Sequence, residues 1–475
     1  MKIIGGLTAF VQVILAIIGV TPISYDIDYG GDTYIAPEIT TPMYIVEDGA
    51  SDYVIVTADD ADECIATAVN ELTTYVERIS GAELQTVTES GYTGGKAIFL
   101  GETDAAEAIA SYDRTSIKSD GFRLYADGEH FIIDGASSRG TLYGVYTFLE
   151  EYLGVRWFTP KLEVVPENKD VVIDANLDRI VDPSFSVRRN SQAGATDEYR
   201  ARTKINVSFY YDAEPYGGAM TWVMWDVTLD RLVPDSLYSE HPEYFAMNPD
   251  GTRTTDHVCL SNSDVLTVAV DNARQAILDC EYNAQYIHIG QKDNSNYCYC
   301  ETCSALYEEY GSISAPTIIF TNAFADALDD EFPYMTFTFY AYGETDRPPQ
   351  KGDIRCNSNV VPVLCQLHRA CRSHPLTECG AIDEQQPTFD SLFVEQDTMV
   401  AKDHAKWTQI ADRTFIYDYT INFINTAMFF SNFETMQSTM KYMHDIGITG
   451  YVYNCGDGHY SAFNALRNYL LCKLQ

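Results

Sequence analysis

The stretch YIHIGQKDNSNYCYCETC, Tyr286 to Cys303, decides the fold. Its alternating apolar start, Tyr286 to Gly290, predicts a strand. That strand ends in Gln291, Lys292, Asp293 and Asn294, and Cys298, Cys300 and Cys303 follow at once. A strand that ends in a carboxylate and an amide, then enters a cysteine-rich loop, has the form of a barrel strand delivering a catalytic group. In (β/α)8 barrels functional groups sit where strands end and loops begin.

The surrounding sequence fits that architecture. Strand signals fall at 184–191, 219–227, 244–248, 286–291, 337–343, 360–367, 414–420 and 450–456. Amphipathic helices are expected between them at about 263–280, 315–331, 399–411, 433–446 and 461–474, with Phe320, Ala323, Phe324, Ala327 and Leu328 as one apolar stripe. Eight strands with intervening helices predict an α/β fold, a (β/α)8 TIM-like barrel over 184–475.

Upstream, 43–178 reads as a small α/β domain. Asp59, Asp60 and Asp62 precede a helix whose apolar face is Ile65, Val69, Leu72, Val76 and Ile79, and Ser80-Gly81 stops it. Two strands around Asp127-Gly128 predict a hairpin. Residues 1–42 read as a secretory signal followed by a Gly/Asp/Tyr/Pro-rich linker, because one Lys precedes an apolar run from Ile3 to Val20. No sharp cleavage site is visible, so an uncleaved anchor stays open. The expected location is secreted or cell-surface.

Bulk chemistry narrows the function. The 475 residues carry 31 Lys+Arg against 69 Asp+Glu, a net charge of −38. Phosphate binding depends on cationic side chains, so nucleic acid is not an expected partner. Anionic lipid is excluded on the same ground, beyond the N-terminal segment itself. The 34 tyrosines suit stacking on sugar rings, although Tyr also simply favours strands. There is no phosphate-cradling Gly loop in a suitable context and no nucleophile elbow.

Several motifs carry a resemblance. The segment SSRGTLYGVYTFLEEYLGVRWFTP resembles the N-terminal α/β domain of bacterial α-glucuronidases and β-hexosaminidases, which there precedes a catalytic barrel. HPEYFAMNPDGTR, IGQKDNSNYCYCETC, FADALDDEFP, HPL and IYDYTINF resemble a large bacterial family of glycoside-hydrolase-like proteins of uncharacterised function, with the same domain pair. The resemblance covers 43–475. It implies an exported bacterial hydrolase that acts on a polysaccharide or host glycan, with uronic acid or N-acetylhexosamine sugars as candidates, and that requires no cofactor. Relatives tend to carry a Glu near the end of the last strand; here that place holds Asn454. Relatives also often continue beyond the position of Gln475, so a truncated sequence is one expectation.

Glycoside hydrolysis usually needs two carboxyl groups. Asp293, after the fourth strand, and Asp418, in the seventh, match the family pattern and are the expected catalytic pair. Asp418 lies between Tyr417 and Tyr419, and apolar surroundings would raise its pKa and favour an acid role; the alternative is a buried Asp that caps a loop. Glu344 and Asp346 read as solvated loop acids. Asp457, near His459 in the loop after the last strand, is a reserve carboxylate. Arg188 and Arg189, with Asn190, end the first strand and would clamp a uronate, or else pair with nearby acids. Asn294, Tyr342, Asn422 and Asp457 complete the expected substrate contacts. Trp222, Trp225, Tyr340 and Tyr342 are candidates for a sugar platform, although half of such alternating aromatics would be core. Cys298, Cys300 and Cys303 have zinc-ligand spacing but need a fourth ligand, for which Cys371, His374 and Cys379 are candidates. Disulfides between the loops or free thiols are the other readings. A second function class also stays open: a carbohydrate-binding protein without turnover, or a surface protein held by the N-terminal segment.

Overall fold

The structure, a computed structural model, describes residues 38–190, 195–207, 213–365, 376, 400–423, 425–430, 432–454 and 461–475. The apolar run Ile3–Val20 lies outside them, as do Asp457, His459, Cys371, His374 and Cys379. Thr40–Gln475 forms one unit. It already includes the end of the expected linker: Thr40 and Thr41 donate to the Asp174 carboxylate, and Pro42–Val46 pairs with Val171–Asp174.

The N-terminal part is a six-stranded sheet in the order Asp178–Val181, Phe122–Ala126, His130–Gly135, Ala97–Leu100, Val54–Thr57, Gln85–Thr88. The hairpin forms where Asp127-Gly128 predicts it, because the Asp127 carboxylate accepts from the Glu129 and His130 amides and closes the turn. The helix Glu63–Ser80 begins where its acids suggest. Asp62 accepts from the Ile65 amide, and Gly81 ends the helix at φ +82, a left-handed conformation open to glycine. This helix and Ser138–Thr147 cover one face of the sheet through Leu72, Val76, Leu142 and Val145. The short helix Asp104–Ala110, absent from the sequence reading, covers the other.

The second part is the barrel. Six strands run parallel in the order Val187–Asn190, Gly450–Asn454, Phe415–Tyr419, Val360–Cys365, Thr336–Ala341, Tyr286–Ile289. Two short segments close the ring. The Asn206 amide donates to the Arg188 carbonyl, and Val207 bridges Met220 and Trp222 bridges Tyr286, both in parallel sense. The second and third strands are therefore 205–207 and about 220–224. The expected strand at 244–248 is a correction: Phe245–Met247 pairs antiparallel with Arg253–Val258 as a hairpin outside the barrel.

Alternation along the strands sorts side chains into two layers. Val187, Tyr286, Val363, Phe415, Tyr417 and Val452 pack together inside the lumen. Ile287, Phe337, Leu364, Ile416 and Tyr451 face outward, where Val265, Phe324, Trp407, Met440 and Leu471 of the surrounding helices cover them. All five expected barrel helices are present: Ser263–Leu278, Ala315–Asp326, Val400–Ile410, Met436–Asp445 and Asn464–Leu474. A further one, Glu301–Tyr310, follows the cysteine-rich loop. No helix among the described residues is long and apolar enough to cross a membrane.

Candidate functional site

The lumen fills from below with aromatic rings. Trp222 stacks on Tyr286 at 4.5 Å between centroids and is 1% exposed, so it is floor rather than sugar platform. Above it, Trp225 contacts His288, Tyr340 and Tyr417. Burial pushes His288 down to about 3, so its ring is neutral; Nδ1 meets the Thr338 hydroxyl at 2.7 Å. Tyr340 is buried as well, while Trp225 and Tyr342 keep part of their surface open. Tyr342, Tyr419 and the exposed Phe423 then line the C-terminal mouth.

Asp293 stands at that mouth. Its carboxylate is exposed, and Oδ1 accepts from the Tyr342 hydroxyl at 2.7 Å. Burial, and then the bond to Asp293 and its charge, push the Tyr342 phenol well up, so it stays a proton donor at neutral pH. The backbone beneath is fixed. Gln291 Nε2 donates to the Tyr342 carbonyl, and Thr345 Oγ1 meets Gln291 Oε1. Lys292 reaches the other way, to Asp235 and the Thr255 carbonyl.

Asn294 is absorbed by loop structure. Its Nδ2 donates to the Asp256 carbonyl, its Oδ1 accepts from the Asn296 amide, and its backbone carbonyl meets His257 Nε2. The Asn422 side chain accepts from the Asn425 amide and donates to Met428 Sδ, in the loop after the seventh strand. Asn454 shares the lumen face of its strand with Val452 and donates to the Tyr417 hydroxyl at 2.8 Å. Glu344 is exposed, as expected of a loop acid, whereas Asp346 is only partly exposed.

Two expected site residues lie elsewhere. Asp418 falls between the lumen residues Tyr417 and Tyr419, so it points outward. It accepts from the Tyr451 hydroxyl at 2.5 Å in the layer beneath the helices, 6% exposed. Arg188 also faces outward. Its guanidinium pairs with Asp120, just before strand Phe122–Ala126 of the N-terminal sheet, its Nε donates to the Lys204 carbonyl, and its Nη1 to the Phe185 carbonyl. The alternative of pairing with nearby acids is what the structure shows for Arg188. Arg189, one residue on, alternates to the lumen side and is buried.

The sequence reading misses one carboxylate. Asp226, exposed, ends the third strand directly after Trp225 with φ +74, a strained backbone for a side chain of this kind. It is among the charges that, after burial, push the Tyr340 phenol and the Cys365 thiol up. Its carbonyl packs on Gly290, where an added Cβ would sit 1.7 Å from that oxygen. Thr228 completes the clasp: its hydroxyl accepts from the Gly290 amide, and its own amide donates to the Gly290 carbonyl. One backbone contact thus locks the ends of the third and fourth strands. Gly290→Ala should cost about 1–3 kcal/mol or more, since the clash is with main chain. Denaturant unfolding of the variant checks this; an unchanged midpoint would contradict it.

A third grouping lies under the Asp293 loop. The sulfurs of Cys259, Cys298, Cys300 and Cys303 lie within 4.8 Å of one another. Cys259, at the end of the hairpin Phe245–Val258, is not among the sequence candidates for this cluster. Its only sequence signal is a cysteine closing a strand, 41 residues before Cys300.

Comparison with known proteins agrees with this architecture. Residues 48–148 match the model described as Glycosyl hydrolase family 67 N-terminus. Among solved structures, the chain is similar to a family GH115 4-O-methyl-α-glucuronidase with specificity for decorated arabinogalactans, at TM-score 0.50 and 12% identity over 91% of this chain. The chain spans 56% of that protein's length. It is also similar to the Streptomyces plicatus β-hexosaminidase (TM-score 0.45, 12% identity, 91% of this chain and 87% of that one). The Streptomyces coelicolor GH20 β-N-acetylhexosaminidase gives the same TM-score and identity, over 91% of this chain and 88% of its own. No curated protein matches the chain in sequence. At 12% identity the likeness to the α-glucuronidase, at TM-score 0.50, shows the fold alone. The model covering residues 157–475, more than half of the chain, is described as Domain of unknown function (DUF4838), and the chain belongs to that family.

Proposed function

We propose that the chain hydrolyses glycosidic bonds at the C-terminal mouth of its barrel by carboxylate acid–base chemistry. The observation that carries this reading is Asp293, exposed at the end of the fourth strand and oriented by the Tyr342 hydroxyl above an aromatic lumen. Asp226 is the second carboxylate in this reading, in place of Asp418, because it sits at the end of the third strand, and its charge acts on the Tyr340 phenol of the lumen. Trp225, Tyr342 and Phe423 offer the ring surface on which a sugar stacks. Arg189, on the lumen side, is the residue to meet a uronate carboxylate.

The substrate in this reading is a polysaccharide or host glycan with uronic acid or N-acetylhexosamine units. The specificity of the similar α-glucuronidase for decorated arabinogalactans makes that polymer the first to try. The apolar run Ile3–Val20 supports export, and the division into residues 43–178 and 184–475 remains the proposed domain arrangement. The test is sugar release from a panel of aryl glycosides and polysaccharides by protein taken from culture medium and from cells. Release in the medium fraction is expected.

A second reading rests on Asn454. An amide bonded to Tyr417 occupies the place where the resemblance leads one to expect a carboxylate. Glycan binding on an array, with no release from any substrate, would favour a binding protein on a hydrolase-like barrel.

A further inference from the structure

We propose that Cys259, Cys298, Cys300 and Cys303 bind one structural zinc ion that fixes the loop carrying Asp293. Three elements converge there. The hairpin of Phe245–Met247 and Arg253–Val258 delivers Cys259. The loop after the fourth barrel strand delivers Cys298 and Cys300, and the first turn of helix Glu301–Tyr310 delivers Cys303. Cys259, Cys298 and Cys303 are 2%, 4% and 1% exposed. Cys371, His374 and Cys379 are not needed as ligands.

The geometry suits a tetrahedron. Zinc–thiolate bonds of about 2.3 Å place neighbouring sulfurs roughly 3.8 Å apart. The Cys259 and Cys300 sulfurs are 3.7 Å apart, and all four lie within 4.8 Å of one another. A disulfide employs two sulfurs; here four share one point, as a tetrahedral site of four thiolates requires. The outer contacts fit as well. The Met247 amide donates to Cys298 Sγ at 3.4 Å, and the Ser261 hydroxyl lies 3.1 Å from Cys303 Sγ. Such bonds orient thiolate ligands and offset their charge. Binding would exchange the thiol protons for Zn²⁺.

The position gives the ion a task. A two-stranded hairpin alone is marginally stable; Phe245 and Val258 pack this one into the barrel's outer core, but on the side facing the cysteines its apolar neighbours are chiefly Ala246, Met247 and Tyr307. Yet it holds the loop beneath Asp293, through Asp256 and His257 to Asn294. Zinc would staple hairpin, loop and helix together. The inference does not depend on the proposed reaction, since metal content is read without any substrate.

The experiment is elemental analysis of the full chain purified without chelator, alongside Cys259→Ser, Cys303→Ser and Cys280→Ser. About one zinc per chain is expected in the wild type and in Cys280→Ser, with loss in the other two. Should those two fail to fold, cobalt exchanged into the wild type decides. Thiolate-to-cobalt charge-transfer bands with intense tetrahedral d–d bands support the site. Three results overturn it: no stoichiometric metal, an unreduced mass lowered by disulfide formation among these cysteines, or four freely alkylated thiols in the native chain.

Discussion

Asp293→Asn is expected to lower kcat/KM by about 10²–10⁴-fold, the usual contribution of one positioned proton-transfer group. Folding should survive. The carboxylate is exposed, and an amide oxygen can still accept from the Tyr342 hydroxyl. Tyr342→Phe removes that orienting bond while leaving Asp293 in place, and a loss of roughly tenfold is expected from one hydrogen bond of about 1.4 kcal/mol. Asp418→Asn separates this account from the expectation drawn from sequence. Asp418 lies behind the barrel wall against Tyr451, so turnover by the folded variant should persist. Steady-state rates on one released-sugar substrate, with thermal melts of each variant, check all three. Full activity in Asp293→Asn would contradict the assignment.

The second large effect is on stability. Asp120 is 2% exposed and receives Arg139 at 2.7 Å, the Arg188 guanidinium, and Asn206 Nδ2 at 2.7 Å. It thereby ties the N-terminal sheet region to the first and second barrel strands. Asp120→Ala strands two largely buried guanidinium groups and should cost about 3–5 kcal/mol. Burial alone would raise the carboxyl; Arg139 and then Arg188 outweigh it and hold the group below its ordinary range. The folded value is thus below the unfolded one, about 3.9. Its stabilisation is present above the unfolded value and fades as pH falls through the folded value. Denaturant unfolding at neutral and acid pH measures both effects. The wild type should lose its margin over the variant on acidification. A variant as stable as the wild type at neutral pH would refute the interface role.

What the sequence made legible was local. The capped helix Glu63–Ser80, the Asp127 turn and six barrel strands all announce themselves by periodicity and end signals. The second strand is three residues long and follows Lys204 at φ +60, too short for any alternation to show. The hairpin strand at 245–247 has the right composition but pairs only with its own neighbour. Aromatics flank Asp418 on both sides, which hides the face it lies on. Counting alternate positions from Phe415 puts Tyr417 and Tyr419 in the lumen and Asp418 outside. The partner of Arg188 lies 68 residues away, beyond any local pattern. Cys259 escapes for the same reason, being brought to its cluster by a hairpin rather than by spacing. Asp226 is legible in principle, as the acid directly after an aromatic strand; only its strained backbone and its contact with Gly290 set it apart.

The most direct test of the central claim pairs two readings on the same samples: sugar release, and glycan binding by calorimetry, for the wild type and Asp293→Asn. The account predicts release by the wild type alone, with both proteins binding the same glycan. Equal release by both proteins, or binding with no release by either, would contradict a carboxylate-driven hydrolase at this mouth.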